Sequence, residues 1–137
     1  MTTTAIKAKK IHSRSRMRFL PKHFGNYFLH IEPSIYSRAD RILNGYGESS
    51  GYWEYYETTE GHGFLVPAMA GPVTMENAEN YRTEKMSPEA AGLTLTILAL
   101  NYLARRHNSQ FLCDKWEKLM DFARNHEEAS AIMSILD

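Results

Sequence analysis

The stretch SPEAAGLTLTILALNYLARRH, residues 87–107, has the sequence of a helix at the centre of a fold. Ser87 can cap the first turn, Pro88 suits the first helical position, and Glu89 places a carboxylate at the positive end of the helix dipole. Apolar side chains lie nearly all around this helix, at Leu93, Leu95, Ile97, Leu98, Leu100 and Leu103. Because a surface helix has one apolar stripe, this pattern predicts a buried core helix that ends near His107.

Two more helices are predicted downstream of the core helix. Ser109 can cap the first, whose apolar stripe is Leu112, Trp116, Leu119, Met120 and Ala123. Asn125 and Glu128 resemble a capping box for the last helix. An earlier helix is predicted far upstream, capped by Ser34 and ending near Asn44.

A β-hairpin is predicted upstream of the core helix, in GYWEYYETTEGHGFLVP, residues 51–67. Alternation assigns Trp53 and Tyr55 to the core and leaves Glu54 and Tyr56 facing away. Two glycines on either side of His62 indicate a turn. Residues 73–75 and 81–84 are predicted to extend the hairpin into an antiparallel meander.

Strands followed by a run of helices indicate the α+β class. We therefore predict a small antiparallel β-meander packed against a bundle of about four helices, in a single compact domain of residues 18–137. Cys113 is the one cysteine of the 137 residues, so no intrachain disulfide can form. The N-terminus has no apolar core of a secretory signal, and no apolar run is long enough to span a bilayer, so we expect a cytoplasmic protein.

The formal net charge of zero hides an asymmetry between the N-terminus and the rest of the chain. Residues 1–23 hold seven basic residues and no acidic one, whereas the remainder has a net charge of −7. Residues 1–17 are predicted to be a flexible basic arm. Two alternatives remain open: the arm pairs with the acidic body, or it contacts nucleic acid through Lys7, Lys9, Lys10, Arg14, Arg16 and Arg18.

No catalytic, metal-binding or cofactor-binding motif stands out in the sequence. The six histidines lack the spacing of a metal-binding helix, and neither a GxSxG nor a phosphate-binding glycine loop occurs. We therefore predict no enzyme activity, no metal and no cofactor. The alternative is a small hydrolase centred on His62 or His30, in which a nearby carboxylate would orient the imidazole.

The acidic residues around the hairpin suggest a contact surface for another protein. A DNA duplex carries one charge per ~1.7 Å of its axis. A body of net charge −7 falls well short of that density, which argues against a full imitation of DNA. We instead predict a partner-contact surface formed by Glu54, Tyr56, Glu57 and Glu60.

Several motifs in a fixed order carry a family resemblance. They are RFLPKHFG (residues 18–25), GYWEYYE (51–57), GFLVPA (63–68), Asn80-Tyr81 and MSPEAAG (86–92). In this combination the chain resembles the ArdB/KlcA family of antirestriction proteins, over residues 18–103. It departs from the family pattern at Glu79-Asn80-Tyr81, where an Asn-Gly pair is expected, and in the basic arm before Arg18.

The resemblance implies a compact α+β protein of a mobile element, such as a plasmid, that alleviates type I restriction-modification and protects incoming unmodified DNA. Its partner would be the type I enzyme or a host factor in that pathway, reached through protein contacts. No membrane partner is implied, and a monomer is favoured. The alternative function is a DNA-binding accessory protein that uses the basic arm.

Overall fold

The computed structural model describes residues 7–46 and 51–137. In chain order the elements are β1 (Ala8–Lys10), α1 (Ser13–Phe24), a 3₁₀ turn (Gly25–Tyr27), α2 (Phe28–Ile42), β2 (Trp53–Thr58), β3 (Gly63–Pro67), β4 (Val73–Asn77), β5 (Arg82–Met86), α3 (Pro88–His107), α4 (Gln110–Arg124) and α5 (Ala129–Leu136).

Helix α3 lies at the centre of the fold, with the bounds that its sequence predicts. The Ser87 hydroxyl caps it by accepting a hydrogen bond from the Ala90 amide at 3.1 Å. Most of the helix is buried, and α2, α4, α5, β3 and β4 all contact it. In the described part of the chain, no helix has the length and apolar content that crossing a membrane requires.

The predicted hairpin is confirmed, and so is the α+β class. Strands β2 and β3 pair antiparallel, with Tyr55 opposite Leu65 and Glu57 opposite Gly63. The turn between them is closed by the Thr58 amide, which donates to the His62 carbonyl at 2.8 Å. Gly61 in this turn has φ +88°, a left-handed conformation that glycine adopts at little cost.

The strands form two sheets rather than the single predicted meander. One sheet has the order β1-β2-β3, and the other is the β4-β5 hairpin. Helix α3 occupies the outer edge of β3, where the Thr96 hydroxyl accepts a hydrogen bond from the Leu65 amide at 3.2 Å. A Cβ atom on Gly92 would lie 2.1 Å from the Leu65 carbonyl oxygen, so helix and strand are in backbone contact. Strand β4 therefore cannot add to this edge.

The N-terminal segment differs from the predicted flexible arm where the structure describes it. Residues 8–10 form β1, which pairs with β2 so that Lys9 lies opposite Glu57, and α1 begins at Ser13. Residues 1–6 lie outside the described residues. The free edge of β2 offers unpaired amides and carbonyls, and pairing with them outweighs the weak strand tendency of a lysine-rich segment.

Two predicted helix starts also differ. Helix α2 begins at Phe28, because Ile31, Ile35 and Ala39 recur every four residues and are all buried. Ser34 therefore lies inside α2, where its hydroxyl accepts a hydrogen bond from Arg38.

The start of α5 lacks the predicted capping box. Asn125 instead donates to the Asp121 carbonyl of the preceding helix. Glu128 accepts a hydrogen bond from the Ser87 amide at 2.8 Å, so it links the start of α5 to the start of α3.

Candidate functional site

The four residues of the predicted contact surface lie on β2 and the turn after it, but not on one face. Glu54 and Tyr56 point to one side of the sheet, whereas Glu57 points to the side that packs against α1. Glu60 lies exposed in the turn. The four side chains therefore lie on two faces and one tip of the hairpin.

Glu54 is neutralised by the N-terminal strand. Its carboxylate lies 2.7 Å from the Lys10 ammonium, and 19% of its side chain is exposed. The hydrogen bond with Glu54 raises the pKa of Lys10. The ion pair joins β1 to β2 across their antiparallel contact.

Glu57 is neutralised by α1. Its carboxylate lies 2.9 Å from His23 Nε2 and 3.2 Å from the Lys22 ammonium. Burial lowers the pKa of His23, and the hydrogen bond with Glu57 offsets part of this effect. The arrangement therefore fits a neutral imidazole that donates to the carboxylate. Burial alone would raise the pKa of Glu57, but the hydrogen bonds from His23 and Lys22 lower it.

Tyr56 is half-buried on the opposite face, with its ring centroid 5.8 Å from that of Phe64. Burial, followed by the charges of Glu54 and Glu89, raises the pKa of its hydroxyl. Its inner part supports the packing of β2 on β3. A partner could contact the remaining exposed part together with Glu54.

The basic residues of the N-terminal segment divide into engaged and exposed groups. Lys10 binds Glu54, and Arg16 lies 4.4 Å over the Tyr55 ring and donates to the Trp53 carbonyl at 3.0 Å. Lys7, Lys9 and Arg18 are exposed, and the side chain of Arg14 lies outside what the structure describes. The segment thus pairs in part with the acidic body, which is one of the alternatives that the sequence left open.

A basic groove separates β1 from α1. Its volume is about 400 Å³, and its lining includes Lys9, Arg18, Lys22 and one carboxylate, Glu57. Lys9 and Arg18, which are both exposed, line this groove from opposite sides. They could hold an anion there, although Glu57 already takes up the charge of Lys22.

The two histidines of the hydrolase alternative lie in different parts of the fold. His62 is half-buried in the hairpin turn, and its Nδ1 is buried without a hydrogen-bond partner in the described part of the chain. Burial, followed by the charge of Lys115, lowers the pKa of His62. His30 lies on α2 with its ring 5.4 Å from that of His107. No set of three side chains placed to hold a metal ion occurs among residues 7–46 and 51–137.

A second basic groove, which was not predicted from the sequence, lies between α2 and α3. Arg38, Arg41 and Arg106 line it, although the body that contains them is acidic overall. Helix α2 contributes two of these arginines and α3 the third, more than sixty residues later. A search of the two helices for arginines near their C-terminal ends could have indicated them.

Comparisons with known proteins identify one family. The model of the antirestriction protein family matches residues 46–137. Antirestriction protein KlcA of Escherichia coli is 30% identical over 139 residues, which cover 96% of this chain and 94% of KlcA. The uncharacterised protein YafX of E. coli strain K12 is 32% identical over 126 residues, covering 89% of this chain and 82% of YafX.

A solved structure has the same fold over the full length of both chains. It superimposes with a TM-score of 0.84 at 30% identity. It comes from work on KlcA and ArdB, proteins with a novel fold and with antirestriction activity against type I DNA restriction systems in vivo but not in vitro.

Proposed function

Because this chain belongs to the antirestriction protein family, we propose that it alleviates type I restriction-modification and protects incoming unmodified DNA. The observation that carries the proposal is the full-length match, at a TM-score of 0.84, to the structure of proteins with this activity. We propose that the protein belongs to a mobile element, since protection benefits DNA that enters a cell unmodified.

Protein contacts, rather than imitation of DNA, are the proposed means of action, with no catalytic step. The distribution of charge supports this view. Glu54 and Glu57 are paired with Lys10, Lys22 and His23, so the hairpin does not present a free row of carboxylates. The activity of KlcA and ArdB in vivo but not in vitro is in keeping with a partner that purified reactions lack. The partner would be the type I enzyme itself or a host factor in its pathway.

The proposed contact surface remains Glu54, Tyr56, Glu57 and Glu60. Replacing all four with alanine would also remove the carboxylates that hold β1 and α1, so loss of activity could reflect loss of structure. Glu60 is the member that is exposed on the turn. Charge reversal at this position changes the surface while it leaves the two ion-paired carboxylates in place.

The test is a plating assay in cells that carry an active type I system. We expect Glu60→Lys to reduce the protection of unmodified phage DNA at least tenfold. The matched control is Glu117→Lys, the same charge reversal at an exposed position of α4. Full protection by the first variant, or equal loss in both variants with unchanged thermal unfolding, would overturn the contact surface.

A second candidate function, DNA binding through the N-terminal segment, is favoured by the exposed cations of the β1-α1 groove. Deleting residues 1–16 would remove β1 and part of α1, so substitutions are the better test. Under this function, Lys7→Gln, Lys9→Gln and Arg18→Gln together abolish both a salt-sensitive DNA shift and protection. Under the leading proposal, the triple variant still protects.

The absence of a catalytic step has its own test. We expect His62→Ala and His30→Ala each to retain full protection, because neither imidazole has, among residues 7–46 and 51–137, a hydrogen-bond partner that would activate it for proton transfer. Loss of protection in a folded His→Ala variant would favour the hydrolase alternative.

A further inference from the structure

The groove between α2 and α3 is a strongly basic concavity that carries no role so far. Its volume is about 530 Å³, and its lining includes the cations Arg38, Arg41 and Arg106 together with His30 and His107. Ser34 and Ser37 also line it, and none of its described lining residues is a carboxylate. Arginine and hydroxyl side chains are among the groups that bind phosphate oxygens in protein–nucleic acid complexes.

A neighbouring cavity continues the groove along α3. Its volume is about 370 Å³, and it shares Arg38, Arg41 and Tyr102 with the first. It adds Arg105 and one carboxylate, Glu79. Four arginines and one glutamate thus line a continuous surface on a body whose net charge is negative. Like charges placed close together repel one another, which is unfavourable for the folded state. Burial, followed by the charge of Arg41, lowers the pKa of Arg38.

An exposed aromatic ring lies in the middle of these cations. Tyr102 is 45% exposed, and the Arg38 guanidinium lies 4.8 Å from its ring centroid. Leu29, at the rim, is 70% exposed. Bases of single strands stack on such rings, while cations beside them hold the backbone. An acidic polypeptide would use the arginines but would leave the ring without a role.

We propose that the α2-α3 groove binds single-stranded nucleic acid. Arg41, Arg105 and Arg106, which are exposed, contact backbone phosphates, and Tyr102 stacks with a base. Arg38 positions the ring, because its guanidinium packs on Tyr102 and donates to the Ser34 hydroxyl at 2.9 Å. The site stands apart from the hairpin surface and does not depend on the proposed antirestriction function.

The first experiment measures fluorescence anisotropy of a labelled oligothymidylate of about 15 nucleotides. We expect Arg41→Glu with Arg106→Glu to weaken binding more than tenfold. The charge-matched control is Lys118→Glu with Arg124→Glu, two exposed positions of α4 that line neither cavity, and it should change binding less than twofold. Equal weakening by both variants would overturn the proposal, because the effect would then follow net charge.

The salt dependence separates phosphate contacts from stacking. The slope of log K against log salt should fall by about 0.7 for each phosphate contact removed from a single strand, hence by about 1.4 in the double arginine variant. Tyr102→Ala should weaken binding about tenfold with an unchanged slope. Phe111→Ala, at a ring of similar exposure on α4, is its control and should have no effect.

Three further results would overturn the proposal. One is no binding of the oligonucleotide by the wild type at about 50 mM salt, where phosphate contacts are strong. Another is binding of poly-glutamate in place of the oligonucleotide, which would indicate an acidic protein partner. The last is loss of binding in the Lys7, Lys9 and Arg18 triple variant with full binding in the Arg41 and Arg106 variant, which would place the site on the N-terminal segment.

Discussion

At the scale of single residues, Gly92 decides how closely α3 approaches β3. A Cβ atom here would lie 2.1 Å from the Leu65 carbonyl oxygen and 2.7 Å from Val66 Cα, both backbone atoms. Alanine normally stabilises a helix interior by about 1 kcal/mol relative to glycine. We expect Gly92→Ala to do the opposite and to lower the free energy of unfolding by about 1–3 kcal/mol or more, as measured by urea denaturation.

Gly63 provides the comparison for Gly92. A Cβ atom there would lie 2.6 Å from side-chain atoms of His23 and Phe19, which can shift more readily than backbone. Gly63→Ala should therefore cost less than Gly92→Ala. An increase in stability on Gly92→Ala would contradict the close contact of helix and strand.

His23 should make stability depend on pH. Burial lowers its pKa in the folded protein, with Glu57 opposing and with Lys22 and Lys115 adding to the effect. The unfolded chain, with a histidine pKa of about 6.5, then binds more protons than the folded one. The stability contribution is present above about pH 6.5 and is lost as the pH falls towards the lowered folded-state pKa.

The measurement compares His23→Gln with the wild type by urea denaturation, from about pH 7.5 to pH 5.5. The variant should lose less stability over this interval. Other histidines also titrate differently on folding: the pKa of His62 is lowered, and hydrogen bonding to Glu89 raises the pKa of His126. Both proteins share these effects, so the difference between their pH profiles isolates His23. Parallel pH profiles would show that His23 does not titrate differently on folding.

At the scale of elements, β1 depends on its backbone pairing with β2. The Thr59 amide donates to the Lys7 carbonyl at 2.8 Å, and the Ile11 amide donates to the Tyr55 carbonyl at 2.7 Å. In an antiparallel ladder, Lys9 therefore also faces β2 with its amide, whereas Ala8 faces away. We expect Lys9→Pro to detach β1, to speed hydrogen exchange at the Ile11 and Thr59 amides, and to cost about 1–3 kcal/mol.

Ala8→Pro is the control for this pairing, since proline there removes an amide that points away from β2. It should leave exchange at both reporter amides nearly unchanged. Similar exchange in the two variants would mean that the ladder does not hold β1 in place. Glu54 and Glu57 would then be more accessible to a partner than their ion pairs with Lys10 and Lys22 indicate.

At the scale of the whole molecule, Asn80 joins the β4-β5 turn to the C-terminus. Its side-chain amide donates to the carbonyls of Ser134, Ile135 and Asp137 at 3.2, 3.1 and 2.7 Å. They lie in the last turn of α5 and just beyond it, where the final carbonyls of a helix have no partner within the helix. We expect Asn80→Ala to lower the free energy of unfolding by about 1–2 kcal/mol and to increase hydrogen exchange throughout α5.

Asn125→Ala is the matched control for the Asn80 hydrogen bonds, because the Asn125 side chain makes a local hydrogen bond to the Asp121 carbonyl. Its effect should be smaller and confined to the end of α4. Unchanged hydrogen exchange in α5 on Asn80→Ala would show that the Asn80 hydrogen bonds do not hold α5 in place. In the same turn, Tyr81 has φ +58° although it is not glycine. The turn thus keeps a conformation that glycine would adopt more easily.

Much of the fold follows from local sequence. The cap at Ser87 and the apolar surface of residues 88–107 specify the core helix, and strict alternation with a glycine turn specifies the β2-β3 hairpin. These signals depend on neighbours a few residues apart, so the sequence contains them in full. The motifs of the antirestriction family are likewise local and readable in the chain.

What only the tertiary structure decided is which elements and charges meet. The contact of Gly92 with β3 divides the strands into two sheets, and β1 joins β2 across more than forty residues. The same long-range contacts pair the acidic hairpin with the basic N-terminus and gather arginines of α2 and α3 into one groove. Ion pairs and the pairing of strand edges depend on distances in three dimensions, and the order of residues in the sequence does not give these distances.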